Sequence, residues 1–162
     1  MNLKGKNAIV TGGGRGLGKA VALILAKEGV NVGITGRNEE NLKATVEELK
    51  SFGIQATYAM FSMDEETAVH KGIANLANEF GGIDILINNA GIGDFGTIAE
   101  MPSETWEKVI KTNLFGVYYA AKAVYPFFKE KGAGDIVNVA STAGLKGGPN
   151  MSAYAASKAA VV

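Results

Sequence analysis

Cysteine is absent from the 162 residues, and histidine occurs once. The first absence excludes disulfides, thiolate metal sites and a thiol nucleophile, and it suits a reducing cytoplasm. The second leaves a Ser-His-acid triad or a histidine-based metal centre short of its parts. The lone His70, beside Lys71 in a helical pattern, is expected to face solvent. Long apolar runs are also missing: no stretch approaches the ~18 residues of a membrane span. The opening Met1-Asn2-Leu3-Lys4-Gly5-Lys6 lacks the apolar centre of a secretion signal. Net charge is missing too, because 16 basic side chains balance 16 acidic ones, so no field draws nucleic acid or anionic lipid. The expectation is a soluble, cytoplasmic protein with neither a nucleic-acid nor a membrane partner.

What the chain has is glycine, 22 residues of it, and short apolar runs. Runs of strand length fall at Asn7 to Thr11, Asn31 to Thr35, Gln55 to Phe61, Ile83 to Asn88 and Asp135 to Ala140, several of them apolar on nearly every residue. Strands buried on both faces have that pattern. Between them, Leu17, Ala20, Val21, Ile24 and Leu25 recur at helical spacing, as do Val69, Ile73, Leu76, Ala77 and Phe80, which predicts core-facing helices. Asn38 before Glu39-Glu40 and Asp64 before Glu65-Glu66 read as helix N-caps with acidic first turns. No linker, repeat or charge block interrupts the series, so residues 1–162 read as one domain. Strands alternating with helices require right-handed crossovers and a parallel sheet, an α/β doubly wound (Rossmann) fold in three αβα layers.

In such a sheet ligands bind beyond the carboxyl ends of the strands. Gly12, Gly16 and Gly18 lie between the first strand and its helix, where backbone N–H groups can approach a phosphate and the helix N-terminus adds partial positive charge. Taken alone, the spacing Gly-x-x-x-Gly-x-Gly serves equally for a ligand-free turn. The end of the second strand adds information. A cofactor with a free ribose 2′-hydroxyl is usually held there by a carboxylate, whereas a 2′-phosphate calls for arginine. This chain has Gly36-Arg37, with no carboxylate before Glu39, and a second cation, Arg15, inside the glycine turn. The expected cofactor is NADP(H), held by Arg15 and Arg37.

Near the end, Tyr154 and Lys158 stand four apart in an alanine-rich helical stretch and so share one face. An isolated Tyr-x-x-x-Lys is more often a surface pair, but Ser141 follows the fifth strand thirteen residues earlier. Asn113 lies on the apolar stripe of Trp106, Val109, Ile110 and Val117, where an amide needs a partner; a kink or a cap would also explain it. Val139-Ala140-Ser141-Thr142-Ala143-Gly144 is not a Gly-x-Ser-x-Gly nucleophile elbow, and no acidic pair suggests glycoside hydrolysis. Pro102-Ser103-Glu104 reads as a helix start, and Trp106 as core.

Gly12-Gly16-Gly18, Asn88-Asn89-Ala90-Gly91, Asn113, Ser141, Tyr154 and Lys158, in this order, resemble the short-chain dehydrogenase/reductase family over essentially the whole chain. The resemblance implies that Tyr154 is the acid/base and Ser141 polarises a substrate carbonyl. It also implies that Lys158 binds the nicotinamide ribose and lowers the tyrosine pKa, and that Asn113 holds a water in the proton relay. Cofactor contacts are implied for Gly12, Gly14, Arg15, Gly16, Leu17, Gly18, Arg37, Ser62, Met63, Asn89, Ala90, Gly91, Tyr154 and Lys158. No metal is implied. The division of labour is sound: a reduced ketone becomes an alkoxide that needs hydrogen-bond donors and a proton. Bringing a phenol from ~10 to ~7 takes roughly 4 kcal/mol, which one ammonium ~4 Å away supplies at an effective dielectric of ~20.

Within the family the pattern looks most like the 3-oxoacyl-[acyl-carrier-protein] reductases of fatty-acid synthesis, acting on a small or carrier-bound carbonyl substrate, with homotetramers or homodimers as the usual assembly; reductases of sugars, polyols, steroids and xenobiotic ketones share the same motifs, and a dinucleotide-binding module without activity is the alternative. Ser62 stands where members commonly have Asp or Asn facing the adenine. The chain stops at Ala159-Ala160-Val161-Val162 in mid-helix, without a cap, where the family continues into two more strands. The expectation is a C-terminally truncated piece with an apolar fifth strand at its edge.

Overall fold

The computed structural model describes residues 3–162. Five strands form one parallel sheet in the order β3-β2-β1-β4-β5: β1 (Asn7–Val10), β2 (Asn31–Gly36), β3 (Ala56–Met60), β4 (Ile85–Asn88) and β5 (Asp135–Asn138). The strands sit where the apolar runs predict, each within a residue or two of its expected bounds. The chain builds outward from β1 to β3, then returns to place β4 on the other side of β1. Strand order therefore reverses between β1 and β4, and a crevice opens at their carboxyl ends.

Alternation along β1 explains the three layers. Ala8 and Val10 face one core with Ile85 and Ile87, under α1 (Gly16–Lys27) and α2 (Glu39–Lys50). Ile9 and Leu86 face the other, under α3 (Glu66–Phe80) and α5 (Gly116–Lys131). Successive strand residues point to opposite faces, so a run apolar at every position feeds both cores. α4 (Ser103–Ile110) runs through a π-helical turn at Lys111–Phe115 into α5, and α6 (Ser152–Ala159) follows a 3-10 turn at Thr142–Gly144.

α1 departs from its expected face. Its buried stripe is Gly18, Ala22 and Ala26, while Leu17 and Ile24 are exposed and Val21 and Leu25 only partly covered. A ridge of small residues lets the helix lie close on the sheet and the glycine turn, and that closeness rotates the bulky side chains outward. α3 buries Val69, Ile73, Leu76 and Ala77 as expected, with Phe80 packed at the margin. Asn38 caps α2, its Oδ1 accepting from Asn41 N at 2.8 Å. Asp64 does not cap α3: the helix starts one residue later, with Glu65 at the cap position and no side-chain bond there. His70 faces solvent only in part: its side chain is 37% exposed, while its Nε2 is enclosed without a hydrogen bond, 3.8 Å from Glu66 Oε1.

β3 and β5 form the edges, and β5 leaves Ile136 and Val137 about half exposed. Among the described residues no helix is long and apolar enough to cross a membrane.

Candidate active site

The glycine turn is shaped by contact. Gly12 takes φ +68°, and a Cβ there would come within 3.0 Å of Ala90 Cα. A Cβ on Gly18 would lie 2.3 Å from Gly12 O and 2.4 Å from Asn89 Nδ2, so only glycine lets α1 begin against the turn. Gly16, at φ +54°, has nothing within 4 Å of the same construction and opens on the cleft. Thr11 and Asn89 brace the turn from beneath. Thr11 Oγ1 accepts from Asn89 N and Ala90 N at 3.0 Å each, and Asn89 Nδ2 donates to Thr11 O at 2.9 Å. From α2, buried Thr45 donates to Gly14 O at 3.2 Å.

A cleft of about 690 Å³ lies over the ends of β1, β2 and β4. Gly12, Gly14, Arg15, Gly16, Leu17, Gly18, Arg37, Ser62, Met63, Asn89, Ala90 and Gly91 all line it. The structure thus brings together every residue expected to contact a cofactor except Tyr154 and Lys158, which stand beyond one end. The rotated α1 accounts for Leu17: it is exposed because it lines the cleft mouth. At the α2 end, Arg15 and Arg37 are both exposed, and among the described residues neither guanidinium has a carboxylate within ion-pair distance. Asn41 and Thr112 also line the cleft; only their placement by the fold shows this.

The other end meets the second group. A Cβ on Gly91 would lie 3.3 Å from Asn113 Oδ1 and 3.7 Å from Lys158 Nζ, so the wall of the cleft abuts both. Asn113, fully buried in the π turn, has its amide committed to protein partners. Oδ1 accepts from Ile92 N at 2.8 Å, and Nδ2 donates to Ile92 O at 2.9 Å and to Ser157 Oγ at 3.0 Å. Both N–H donors are used within the protein, while Oδ1, with one donor on it, keeps a second acceptor site. Gly116 N reaches back to Lys111 O, one carbonyl further than in an α-helix.

Lys158 is 5% exposed; its Nζ donates to Val139 O at 2.7 Å and lies 6.0 Å from the centre of the Tyr154 ring. Burial holds its pKa below the usual lysine value. The Phe95 ring packs edgewise on Tyr154, with centres 6.0 Å apart. Ser141 Oγ accepts from Ala143 N at 3.2 Å, so its hydroxyl hydrogen is free to donate elsewhere. Two residues of this group escape sequence reasoning. Ser157 links Asn113 to α6 and donates to Tyr154 O at 2.8 Å. Gly144 lets the Ser141 turn touch α6, since a Cβ there would lie 2.7 Å from Lys158 O.

The family model for short chain dehydrogenase matches residues 6–162. The chain belongs to that family. A 3-oxoacyl-[acyl-carrier-protein] reductase of Staphylococcus epidermidis is 35% identical over 97% of this chain and 65% of its own length. An uncharacterized oxidoreductase of Thermotoga maritima is 40% identical over 100% of this chain and 64% of its own. The chain thus spans less than two thirds of the length of these curated relatives. Among solved structures, an NAD+-bound xylitol dehydrogenase superposes with TM-score 0.95 at 36% identity, covering 99% of this chain and 62% of that one. A Burkholderia cenocepacia short chain dehydrogenase in complex with NADP gives TM-score 0.92 at 33% identity, covering 99% and 65%.

Proposed function

We propose that the protein is an NADP(H)-dependent oxidoreductase that reduces a ketone to a secondary alcohol, with a 3-oxoacyl thioester on acyl carrier protein as substrate. The observation that carries the reading is the pair of exposed guanidinium groups, Arg15 and Arg37, without a carboxylate partner among the described residues, at one end of a cleft whose other end abuts Lys158 and Asn113. The site fits a dinucleotide. Gly16 leaves open space where a phosphate would approach backbone, and the two arginines suit a 2′-phosphate. A bound nicotinamide supplies the hydride.

The remaining chemistry is assigned to this chain's side chains. As the carbonyl carbon gains hydride, its oxygen becomes an alkoxide, stabilised by the free O–H of Ser141 and protonated by the hydroxyl of Tyr154. The Lys158 ammonium uses one donor on Val139 O and keeps two for ribose hydroxyls, while its charge favours the phenolate left on Tyr154. Asn113 is a positioning residue, holding the Ile92 loop and α6 in register. The similarity to the Staphylococcus reductase supports the substrate. The similarity to xylitol dehydrogenase favours a second reading, a polyol or sugar carbonyl.

The test is NADPH oxidation with a short 3-oxoacyl thioester, beside NADPH and NADH binding followed by fluorescence. Tyr154→Phe is expected to abolish turnover and retain NADPH binding. Turnover surviving in that variant would remove Tyr154 from the mechanism, and equal binding of NADH would overturn the cofactor assignment.

A further inference from the structure

Two residues past Arg37, the chain carries a carboxylate that ought to oppose a 2′-phosphate. Glu39 opens α2, directly after Arg37 and Asn38, which line the cleft. The face of α2 toward the cleft holds Asn38, Asn41 and Leu42. At 3.6 residues per turn, Glu40 stands roughly 150° from the centre of that face and Glu39 roughly 105°, so Glu39 is the nearer of the two. A Glu39 side chain turned toward Arg37, two residues before it, would act on the phosphate end in two harmful ways. It would repel the phosphate, and it would offer the ribose 2′-hydroxyl of the unphosphorylated cofactor the acceptor that such cofactors use.

Glu39 is held elsewhere. Its Oε1 accepts from Tyr58 Oη at 3.0 Å and lies 3.1 Å from Lys43 Nζ. The two partners come from different elements. Lys43 is one turn along α2, and Tyr58 is on β3, paired in register with Ile34 of β2 and packed against the core under α1 and α2. A sheet residue thus fixes where the carboxylate sits. The same contacts favour its charged form: the Lys43 hydrogen bond, then that of Tyr58, hold Glu39 below the usual glutamate pKa. The result is a cleft end whose two arginines have no carboxylate partner among the described residues, in a stretch that also carries two glutamates.

We propose that Lys43 and Tyr58 are specificity-determining positioning residues: by clamping Glu39 away from the cleft they establish the preference for a nucleotide bearing a 2′-phosphate. The inference rests on the NADP(H) reading above. Neither residue lines the cleft; both act through the Glu39 carboxylate.

The test is a cycle of binding measurements with NADPH and NADH. Tyr58→Phe removes one hydroxyl at a partly exposed position and is expected to lower the NADPH-to-NADH preference about threefold, as an exposed charge in water can. Lys43→Met, which releases the other contact, is expected to lower it further. In a Glu39→Gln background Tyr58→Phe should change nothing, because the group it restrains no longer carries charge. A merely structural role would weaken both nucleotides together and would persist in that background. A preference that survives Tyr58→Phe and Lys43→Met, or falls equally in the Glu39→Gln background, overturns the clamp alone. Wild-type protein that binds both nucleotides equally overturns the cofactor reading, and the clamp with it.

Discussion

Asn113 and Ile92 are joined by a closed pair of hydrogen bonds, the amide oxygen accepting from Ile92 N at 2.8 Å and the amide nitrogen donating to Ile92 O at 2.9 Å. The second amide hydrogen reaches Ser157 on α6. One buried side chain thus ties the loop after β4 to the helix that carries Tyr154 and Lys158. Asn113→Ala leaves both main-chain groups of Ile92 without these partners and is expected to cost about 2–4 kcal/mol, read from urea unfolding. Asn113→Asp should do no better, since it restores the acceptor but supplies a charge where two donors are required. A loss within about 0.5 kcal/mol for the alanine variant would show that water replaces the amide without penalty.

Gly16 and Gly18 make opposite demands, although both stand in the same turn. Gly18→Ala gains helix propensity of ~1 kcal/mol, but its Cβ would fall 2.3 Å from Gly12 O, so α1 must move off the turn. The expected net loss is about 1–3 kcal/mol, with weaker nucleotide binding. Gly16→Ala meets no atom within 4 Å and pays only for its left-handed backbone at φ +54°, about 1 kcal/mol, while its methyl enters the cleft. Thermal melts and NADPH titration should therefore separate the pair: the Gly16 variant loses binding out of proportion to stability. Equal behaviour of the two would contradict the contacts.

The central strands β1, β2 and β4 were legible because a doubly buried strand is apolar at nearly every position, and Asn38 was legible because its cap is local, three residues from Asn41. Weighting α1 by its largest side chains misplaces its face, since closeness to the sheet selects Gly18, Ala22 and Ala26 for smallness and turns Leu17 to the cleft. Asp64 fails as a cap for a similar reason: residue type suits the role, but the start of α3 is set one residue later. Asn113 announces itself as an amide on an apolar stripe. Its partners do not, because Ile92 and Ser157 lie 21 and 44 residues away and only the fold brings them near. Gly144 and the Glu39–Tyr58 contact are hidden in the same way, each joining elements whose adjacency no local pattern records.

At the opposite end of the sheet from the cleft, Asp84 gathers the ends of three elements. Its Oδ2 accepts from Asn7 N at 2.9 Å, and its Oδ1 takes Lys6 Nζ at 3.2 Å together with Lys131 Nζ from the end of α5. Burial on its own would raise the carboxyl pKa, but the bonds from Lys131, Asn7 and Lys6 outweigh it and hold the group below the ordinary aspartate value. The consequence for stability has a definite sign. Between the lowered folded-state pKa and the unfolded value near ~3.9, the unfolded chain binds more protons, so stability rises with pH across that window. The contribution is complete above the unfolded value and is lost as pH falls through the folded one. Asp84→Asn should therefore be less stable than wild type at pH 7. The gap in urea midpoint should close only as the solution is taken below about pH 4. NADPH binding should be unchanged, since no part of the cleft touches this end. A gap that stays constant from neutral pH into acid would mean that hydrogen-bond geometry, which asparagine partly preserves, holds these ends together, and that the charge on Asp84 contributes nothing.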